Sequence, residues 1–144
     1  MTKRYYLAYG SNMNVNAMAK RCPTAEIIGA DTLKGYQLKF KQKSGYESYA
    51  TIVPNDKGSV PFVLWSIERE DELELDKYEV YPDLYRKEIL TVSLNGIKYE
   101  AMIYLMNEPC NNQTPAEAYL ISIIEGYQAF NFDTSTLKNP SDEH

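Results

Sequence analysis

The chain has 144 residues, 44% of them hydrophobic and 24% charged, which is the composition of a single globular domain. Its net charge of −5 argues against a nucleic-acid-binding protein, because such proteins neutralise phosphates with Lys and Arg. No stretch approaches the roughly 20 apolar residues of a membrane span, and the N-terminus lacks the apolar core of a secretory signal, so we expect a cytoplasmic protein without membrane contact.

The inventory of reactive side chains restricts the chemistry. Cys22 and Cys110 have no CxxC spacing, so we expect reduced thiols and no bound metal. The only histidine is His144, the last residue, so neither a Cys-His nor a Ser-His pair can form in the folded body. Any acid–base catalysis therefore has to use carboxylates, Lys or Tyr, and no cofactor is expected.

The first predicted elements surround a turn. The apolar run Tyr5–Tyr9 predicts a buried strand, and Gly10, Ser11 and Asn12 follow it. These three residue types suit a turn whose backbone N–H groups can hold a small acceptor, although such junctions commonly only cap a helix. A short helix is predicted from Asn14 to Arg21, with Met13 or Met18 packing inward.

The middle of the chain predicts strands and one charged helix. Alternation predicts strands over residues 33–40, 48–54 and 60–67, the last two separated by a turn, "PNDKGS", at 54–59. The charged segment 68–79 predicts a helix, whose inward positions are Leu73, Leu75 and Tyr78. An aromatic loop, "YEVYPDLY", comes next.

The second half predicts a hairpin and a helix. Asn95-Gly96 between two strand-like runs, 85–94 and 97–106, is a strong signal for a two-residue hairpin turn. Thr114, Pro115 and Glu117 predict a helix that begins at Thr114 and runs to about Phe130.

These elements predict an α+β domain with inserted helices on a curved or barrel-like antiparallel sheet. We place the domain at residues 1–132 and a polar C-terminal tail at 133–144.

Among the carboxylates, Glu79 has an unusual setting. It follows a charged helix but is flanked by Tyr78 and Val80, with further aromatic residues close by. If this environment excludes water, the pKa of Glu79 rises toward neutrality and the group can accept and return a proton. The plainer alternative is a helix-end carboxylate paired with Arg86.

The sequence resembles the gamma-glutamyl cyclotransferase family, including AIG2-like proteins. Matching pieces run in order through most of the chain: "YLAYGSNM", "MAKRCP", "LKGYQLKF", "YATIVP", "VLWSI", "LDKYEVYPDLYR" and "AMIYLM". The "YGSN" turn and the "LD-x-x-E" segment are specific in combination. Where many relatives carry glycine, this chain has Phe62 and Val80, which affects the expected pocket shape.

The resemblance implies a small mixed barrel with a pocket at the "YGSN" loop, where a γ-glutamyl amide is converted to 5-oxoproline and a free amine. The substrate's own α-amine attacks its γ-carbonyl, so no protein nucleophile is needed, and Glu79 acts as general acid and base. The implied binding residues are Tyr6, Leu7, Ala8, Tyr9, Gly10, Ser11, Asn12, Tyr85 and Tyr119. Of these, Asn12 is better suited to bracing the turn or capping the helix.

Two other function classes stay open at this stage. A binding or regulatory module with the same pocket would bind ligand without forming product. A hydrolase with Ser11 as nucleophile would need a Lys base, since no histidine is at hand. The leaving amine and the oligomeric state are not readable from the sequence; the expected partner is a small γ-glutamyl compound.

Overall fold

The computed structural model of the chain describes residues 3–138. Along the chain it has these elements: β1 Arg4–Ala8, a short 3-10 helix Ser11–Met13, α1 Val15–Arg21, β2 Glu26–Gln42, β3 Ser48–Ile67, α2 Arg69–Tyr78, β4 Tyr85–Leu94, β5 Ile97–Met106, β6 Asn111–Asn112, α3 Glu117–Ala129 and α4 Ser135–Lys138.

The strands form one curled six-stranded sheet in the order β4-β5-β1-β3-β2-β6. The sheet curls so that its edge strand β4 approaches β2 near the opposite edge, because a Cβ added at Gly29 of β2 would lie only 2.6 Å from Leu94 Cδ2 of β4. The predicted α+β class with a curved, barrel-like sheet is confirmed. β1 pairs with β3 antiparallel and with β5 in parallel, so the sheet is mixed, as the resemblance implied.

β3 is one continuous strand of 20 residues, so the predicted turn at 54–59 is wrong. Within the β2–β3 ladder, β2 contributes only Gly35 where β3 contributes residues 55–58, which makes a large bulge. Gly58 permits this bulge, because a Cβ there would collide with the backbone carbonyl of Tyr36. The turn-forming residues therefore bend a strand that continues past them.

The two helices predicted in the first half of the chain, α1 and α2, are both present. Asn14 caps α1 by accepting a hydrogen bond from the Ala17 N–H, and both Met13 and Met18 are fully buried. On α2, Leu75 is buried as predicted, whereas Leu73 is 48% exposed and was wrongly placed inward.

Tyr78, the last residue of α2, was also predicted to point inward, and its residue surface is 38% exposed. Its hydroxyl nevertheless reaches Ser11 Oγ at 2.7 Å. The side chain therefore lies across the surface at the turn and is not packed in the core.

The predicted hairpin is confirmed. Asn95 and Gly96 connect β4 and β5 with φ values of 53° and 79°, the left-handed conformation that this residue pair adopts readily. The predicted start of the last helix is wrong. α3 is capped at Ala116, not Thr114, and no side chain caps it. Its predicted end at Phe130 is confirmed.

Gly126 brings α3 close to the 3-10 helix, because a Cβ there would lie 2.9 Å from the Met13 backbone. This contact sets α3 over the turn at the end of β1. After α3, α4 places Leu137 in the core, 1% exposed. Residues 139–144 of the predicted tail lie outside the described residues, and the domain division at 132 stays a prediction.

Between residues 3 and 138, no helix has both the length and the apolar character that crossing a membrane requires.

Candidate active site

A narrow cleft opens where β1 ends, with a cavity volume of about 20 Å³. It is lined by nearly all the residues that the resemblance implied for substrate binding and catalysis, from separate parts of the chain: Tyr6, Leu7, Tyr9, Gly10, Ser11, Asn12, Glu79, Tyr85 and Tyr119. Ala8 is the exception, since it is buried in β1 and does not line the cleft. Ala50 and Tyr104 complete the wall.

The turn from Gly10 to Asn12 supplies the cleft's backbone donors. The 3-10 helix closes on itself with two hydrogen bonds, from the Met13 N–H to the Gly10 oxygen and from the Asn14 N–H to the Ser11 oxygen, both 3.0 Å. In the described part of the chain, the N–H groups of Gly10 and Ser11 enter none of the hydrogen bonds outside the strand ladders. Such free N–H groups at the start of a helix suit an anionic acceptor.

Gly10 is needed for space. Its φ is −124°, so it does not have the left-handed conformation that most requires glycine. A Cβ at Gly10 would lie 3.3 Å from the Ala50 Cβ, tighter than ordinary contact. Glycine therefore lets the turn sit against β3.

Asn12 forms hydrogen bonds to other protein groups through its side-chain nitrogen, its side-chain oxygen and its backbone oxygen. Its Nδ2 donates to the Tyr6 hydroxyl at 3.0 Å, its Oδ1 accepts from the Arg21 guanidinium, and its backbone oxygen accepts from Trp65 Nε1 at 3.1 Å. Because these groups are already occupied, Asn12 braces the turn from behind. The helix cap that was considered for Asn12 belongs to Asn14.

Two tyrosines fix the backbone of β3 at the cleft wall. The Tyr119 hydroxyl accepts from the Ala50 N–H at 3.0 Å, and the Tyr85 hydroxyl donates to the Ala50 oxygen at 2.5 Å. Burial raises the pKa of both phenols well above the ordinary value, so both stay neutral. Sequence reasoning missed Ala50, since it contributes only main-chain atoms and carries no side-chain signal.

Glu79 stands at the C-terminal cap of α2, where its N–H donates to the Leu75 oxygen at 2.8 Å. The residue keeps some accessible surface, but its carboxylate is enclosed, and burial raises its pKa to about 8 against the opposing charge of Arg21. Among the described side chains, none forms a hydrogen bond or ion pair with this carboxylate.

The alternative pairing of Glu79 with Arg86 is wrong. Arg86 Nε donates to Glu88 Oε2 at 2.6 Å, and its NH1 donates to the Met106 oxygen at 3.1 Å. The cation that acts on Glu79 is Arg21, which the sequence suggested only as the last residue of a helix.

The two departures from the family pattern have different settings. Val80, directly after Glu79, has a φ of 51°, a conformation that favours glycine and strains a β-branched residue. Phe62 is almost completely buried in the core. The sequence therefore places a bulky residue at a left-handed position beside the candidate catalytic carboxylate.

A second, larger groove lies along β2 and β3, with a cavity volume of about 500 Å³. Its lining includes Lys39, Lys57 and Gln113 but none of the predicted site residues. Size alone does not identify the reactive site here, because the enclosed carboxylate lies in the smaller cleft. No cluster of three His, Cys, Asp or Glu side chains suited to a metal occurs within residues 3–138.

The family profile described as "Gamma-glutamyl cyclotransferase, AIG2-like" matches residues 6–122. A comparison with curated proteins gives no match.

Three solved structures share the fold. A structure titled "Gamma-glutamyl cyclotransferase" is 21% identical over 98% of this chain and 88% of its own, with a TM-score of 0.84. The protein loc79017 from Homo sapiens is 22% identical over 99% and 88%, also with a TM-score of 0.84. YkqA from Bacillus subtilis is 25% identical over 98% of this chain and 54% of its own, with a TM-score of 0.79, so the chain spans about half of that protein. The family profile covers most of the sequence, and the chain belongs to the AIG2-like gamma-glutamyl cyclotransferase family.

Proposed function

We propose that this protein is a γ-glutamyl cyclotransferase that converts a γ-glutamyl amide to 5-oxoproline and a free amine. The observation that carries this proposal is the pairing, in one cleft, of a carboxylate that no described side chain hydrogen-bonds and a turn with available backbone N–H groups. Family membership supports the reaction type.

The proposed reaction needs no nucleophile from the protein. The substrate's α-amine attacks its γ-carbonyl carbon, forming the new ring C–N bond and a tetrahedral oxyanion. The original amide C–N bond then breaks, and the oxyanion collapses to the lactam carbonyl. One proton leaves the attacking amine and one reaches the departing amine, so no water is consumed and no electrons are transferred.

Glu79 is the proton carrier in this proposal. A carboxyl group with a pKa of about 8 is populated in both forms near neutral pH, which suits a group that first takes a proton and then returns it. Its lack of a protein hydrogen-bond partner leaves the carboxylate oxygens available to the substrate amine.

The turn and the tyrosines serve binding. The N–H groups of Gly10 and Ser11 hold the substrate carboxylate or the developing oxyanion, as preorganised donors do in other acyl-transfer sites. The neutral hydroxyls of Tyr85 and Tyr119 keep the Ala50 backbone rigid behind the substrate. A narrow cleft that keeps the glutamyl chain folded contributes to the rate, because an extended chain rarely brings amine and carbonyl together.

The competing hydrolase with Ser11 as nucleophile has less support. Ser11 Oγ shares its hydrogen bond with the Tyr78 hydroxyl and not with a lysine or another base. A tyrosine hydroxyl is a poor general base for activating a serine. The proposed enzyme works on a small γ-glutamyl compound in the cytoplasm, without a metal or cofactor.

The reaction class is tested by mass spectrometry in H₂¹⁸O. The purified protein is incubated with γ-glutamyl amino acids, γ-glutamyl-lysine isopeptides and γ-glutamyl alkylamines. We expect 5-oxoproline without solvent oxygen from at least one of these classes. Labelled glutamate as the product would show hydrolysis, and binding without any product would show a binding module; either result contradicts the proposal.

A further inference from the structure

Arg21 lies between three parts of the candidate active site. It is the last residue of α1 and is half-buried. Its guanidinium carbon is 3.5 Å from the centre of the Tyr78 ring, and its NH1 donates to Asn12 Oδ1. Tyr78 in turn shares a hydrogen bond with Ser11 Oγ. One side chain thus joins the turn after β1 to the end of α2, immediately before Glu79.

Between residues 3 and 138, the charge of Arg21 has no carboxylate partner. Other cations of the chain do have acidic partners: Arg4 and Lys87 both pair with Glu72, and Arg86 pairs with Glu88. Among the described side chains, Arg21 forms no ion pair within 4 Å. Its partners are instead an amide oxygen and an aromatic ring, which leave the full positive charge beside the cleft.

Among the described residues, the titratable groups that interact electrostatically with Glu79 are one arginine and several tyrosines. Arg21 of α1 is the cation that acts on its carboxylate. The carboxylate also acts on tyrosines of β1 and its following turn, β4, β5 and α3: Tyr6, Tyr9, Tyr85, Tyr104 and Tyr119. Each phenol is held neutral by burial, so Arg21 supplies the counter-charge.

We propose that Arg21 is a positioning residue: its guanidinium braces the Gly10–Asn12 turn and Tyr78, and its charge keeps the Glu79 carboxylate available as a base. The two roles are separable. The brace depends on the hydrogen bond to Asn12 and the stacking on Tyr78, whereas the electrostatic role depends only on a positive charge at this place.

Without that charge, burial would act on Glu79 unopposed. Its pKa would rise further, because desolvation disfavours the ionised form and the compensating cation would be gone. Less Glu79 would then be ionised at neutral pH. The consequence for turnover rests on the proposed function, but the titration of Glu79 does not.

The test is a ¹³C NMR titration of protein labelled at the glutamate side-chain carboxyl carbons. The Glu79 signal is assigned by its absence in Glu79→Gln. Arg21→Gln removes the charge but keeps a donor for Asn12 Oδ1, Arg21→Lys keeps the charge, and Lys20→Met is the control that removes one positive charge from the same helix. If Arg21→Gln does not fold, Arg21→Met takes its place.

We expect the Glu79 midpoint to move to higher pH by about one pH unit in Arg21→Gln, as loss of a nearby opposite charge does. Arg21→Lys should restore most of that shift, and Lys20→Met should leave the wild-type midpoint. An unchanged midpoint in Arg21→Gln, or an equal shift in Lys20→Met, would overturn the inference. A shift in a protein that forms no 5-oxoproline would contradict the proposed function and leave the inference standing.

Discussion

At the scale of single residues, the candidate site depends on groups whose chemistry changes with their surroundings. Glu79 is one of 20 acidic residues, and its distinction is that its carboxylate is enclosed among neutral phenols with one cation nearby. The aromatic neighbours were visible in the sequence and correctly indicated a raised pKa. The identity of the opposing cation was not visible, because Arg21 reaches the site from a helix far away along the chain.

Glycine, which the family resemblance implies after Glu79, would suit the backbone of this structure better than valine does. Val80 occupies that position with a φ of 51°, where a β-branched side chain is strained. We predict that Val80→Gly stabilises the protein by about 1 kcal/mol, since relief of this strain exceeds the backbone entropy that glycine costs. Urea unfolding measures the change.

A matched control for that variant is Val53→Gly, in a regular part of β3, where glycine should destabilise the protein. Destabilisation of similar size by both substitutions would show that Val80 carries no strain that glycine relieves.

At the scale of elements, the sequence patterns predicted the hairpin and most of the strands correctly. The Asn95-Gly96 hairpin was predictable because its turn geometry is set by two adjacent residues. The bulge in β3 was not, because it depends on Gly58 packing against Tyr36 of another strand. The start of α3 was misread for a similar reason: Thr114 and Pro115 have the right types for a cap, but the buried Pro115 belongs to the preceding segment.

The contact between α3 and β3 makes a prediction at this scale. In Tyr119→Phe, the buried Ala50 N–H loses its acceptor, which costs about 1–3 kcal/mol of unfolding free energy. Urea unfolding measures this loss. The control is Tyr49→Phe. The Tyr49 ring packs edge-on against Tyr119, but the Tyr49 hydroxyl that this variant removes forms no hydrogen bond within the described chain. Equal losses in both variants would contradict a specific role for the Ala50 hydrogen bond.

At the scale of the whole molecule, the enclosed carboxylate should make stability depend on pH. The pKa of Glu79 rises from an ordinary 4.5 to about 8 on folding. Above pH 4.5 the unfolded chain releases this proton while the folded protein retains it, so folding becomes less favourable as the pH rises, until about pH 8. This pH dependence is opposite to that of most carboxylates in proteins, because folding usually lowers the pKa of a carboxyl group.

Glu79→Gln removes the ionisable carboxyl group and with it the loss of unfolding free energy at high pH. We therefore expect the variant to match the wild type at pH 4 and to exceed its unfolding free energy at pH 8.5 by on the order of a few kcal/mol. Denaturant unfolding at both pH values measures the difference, and groups that titrate alike in the two proteins cancel. A difference that does not grow with pH would mean that Glu79 is ionised without penalty.

The fold brings the turn after β1, the end of α2 and the start of α3 to one cleft, although they are distant in sequence. The sequence alone indicated which segments carry the site through their resemblance to a family. It did not indicate that Ala50 and Arg21 belong with them, because one contributes backbone atoms and the other long-range charge. Both depend on how the elements pack together in three dimensions.

The most direct test compares 5-oxoproline release by the wild type and Glu79→Gln on the best γ-glutamyl substrate, with Glu74→Gln, an exposed carboxylate of α2, as control. We predict that Glu79→Gln folds and binds substrate but loses at least about 100-fold in kcat, since the amide cannot carry the proton, and that Glu74→Gln retains wild-type turnover. Wild-type turnover in Glu79→Gln would contradict the assignment of Glu79 as the general acid and base.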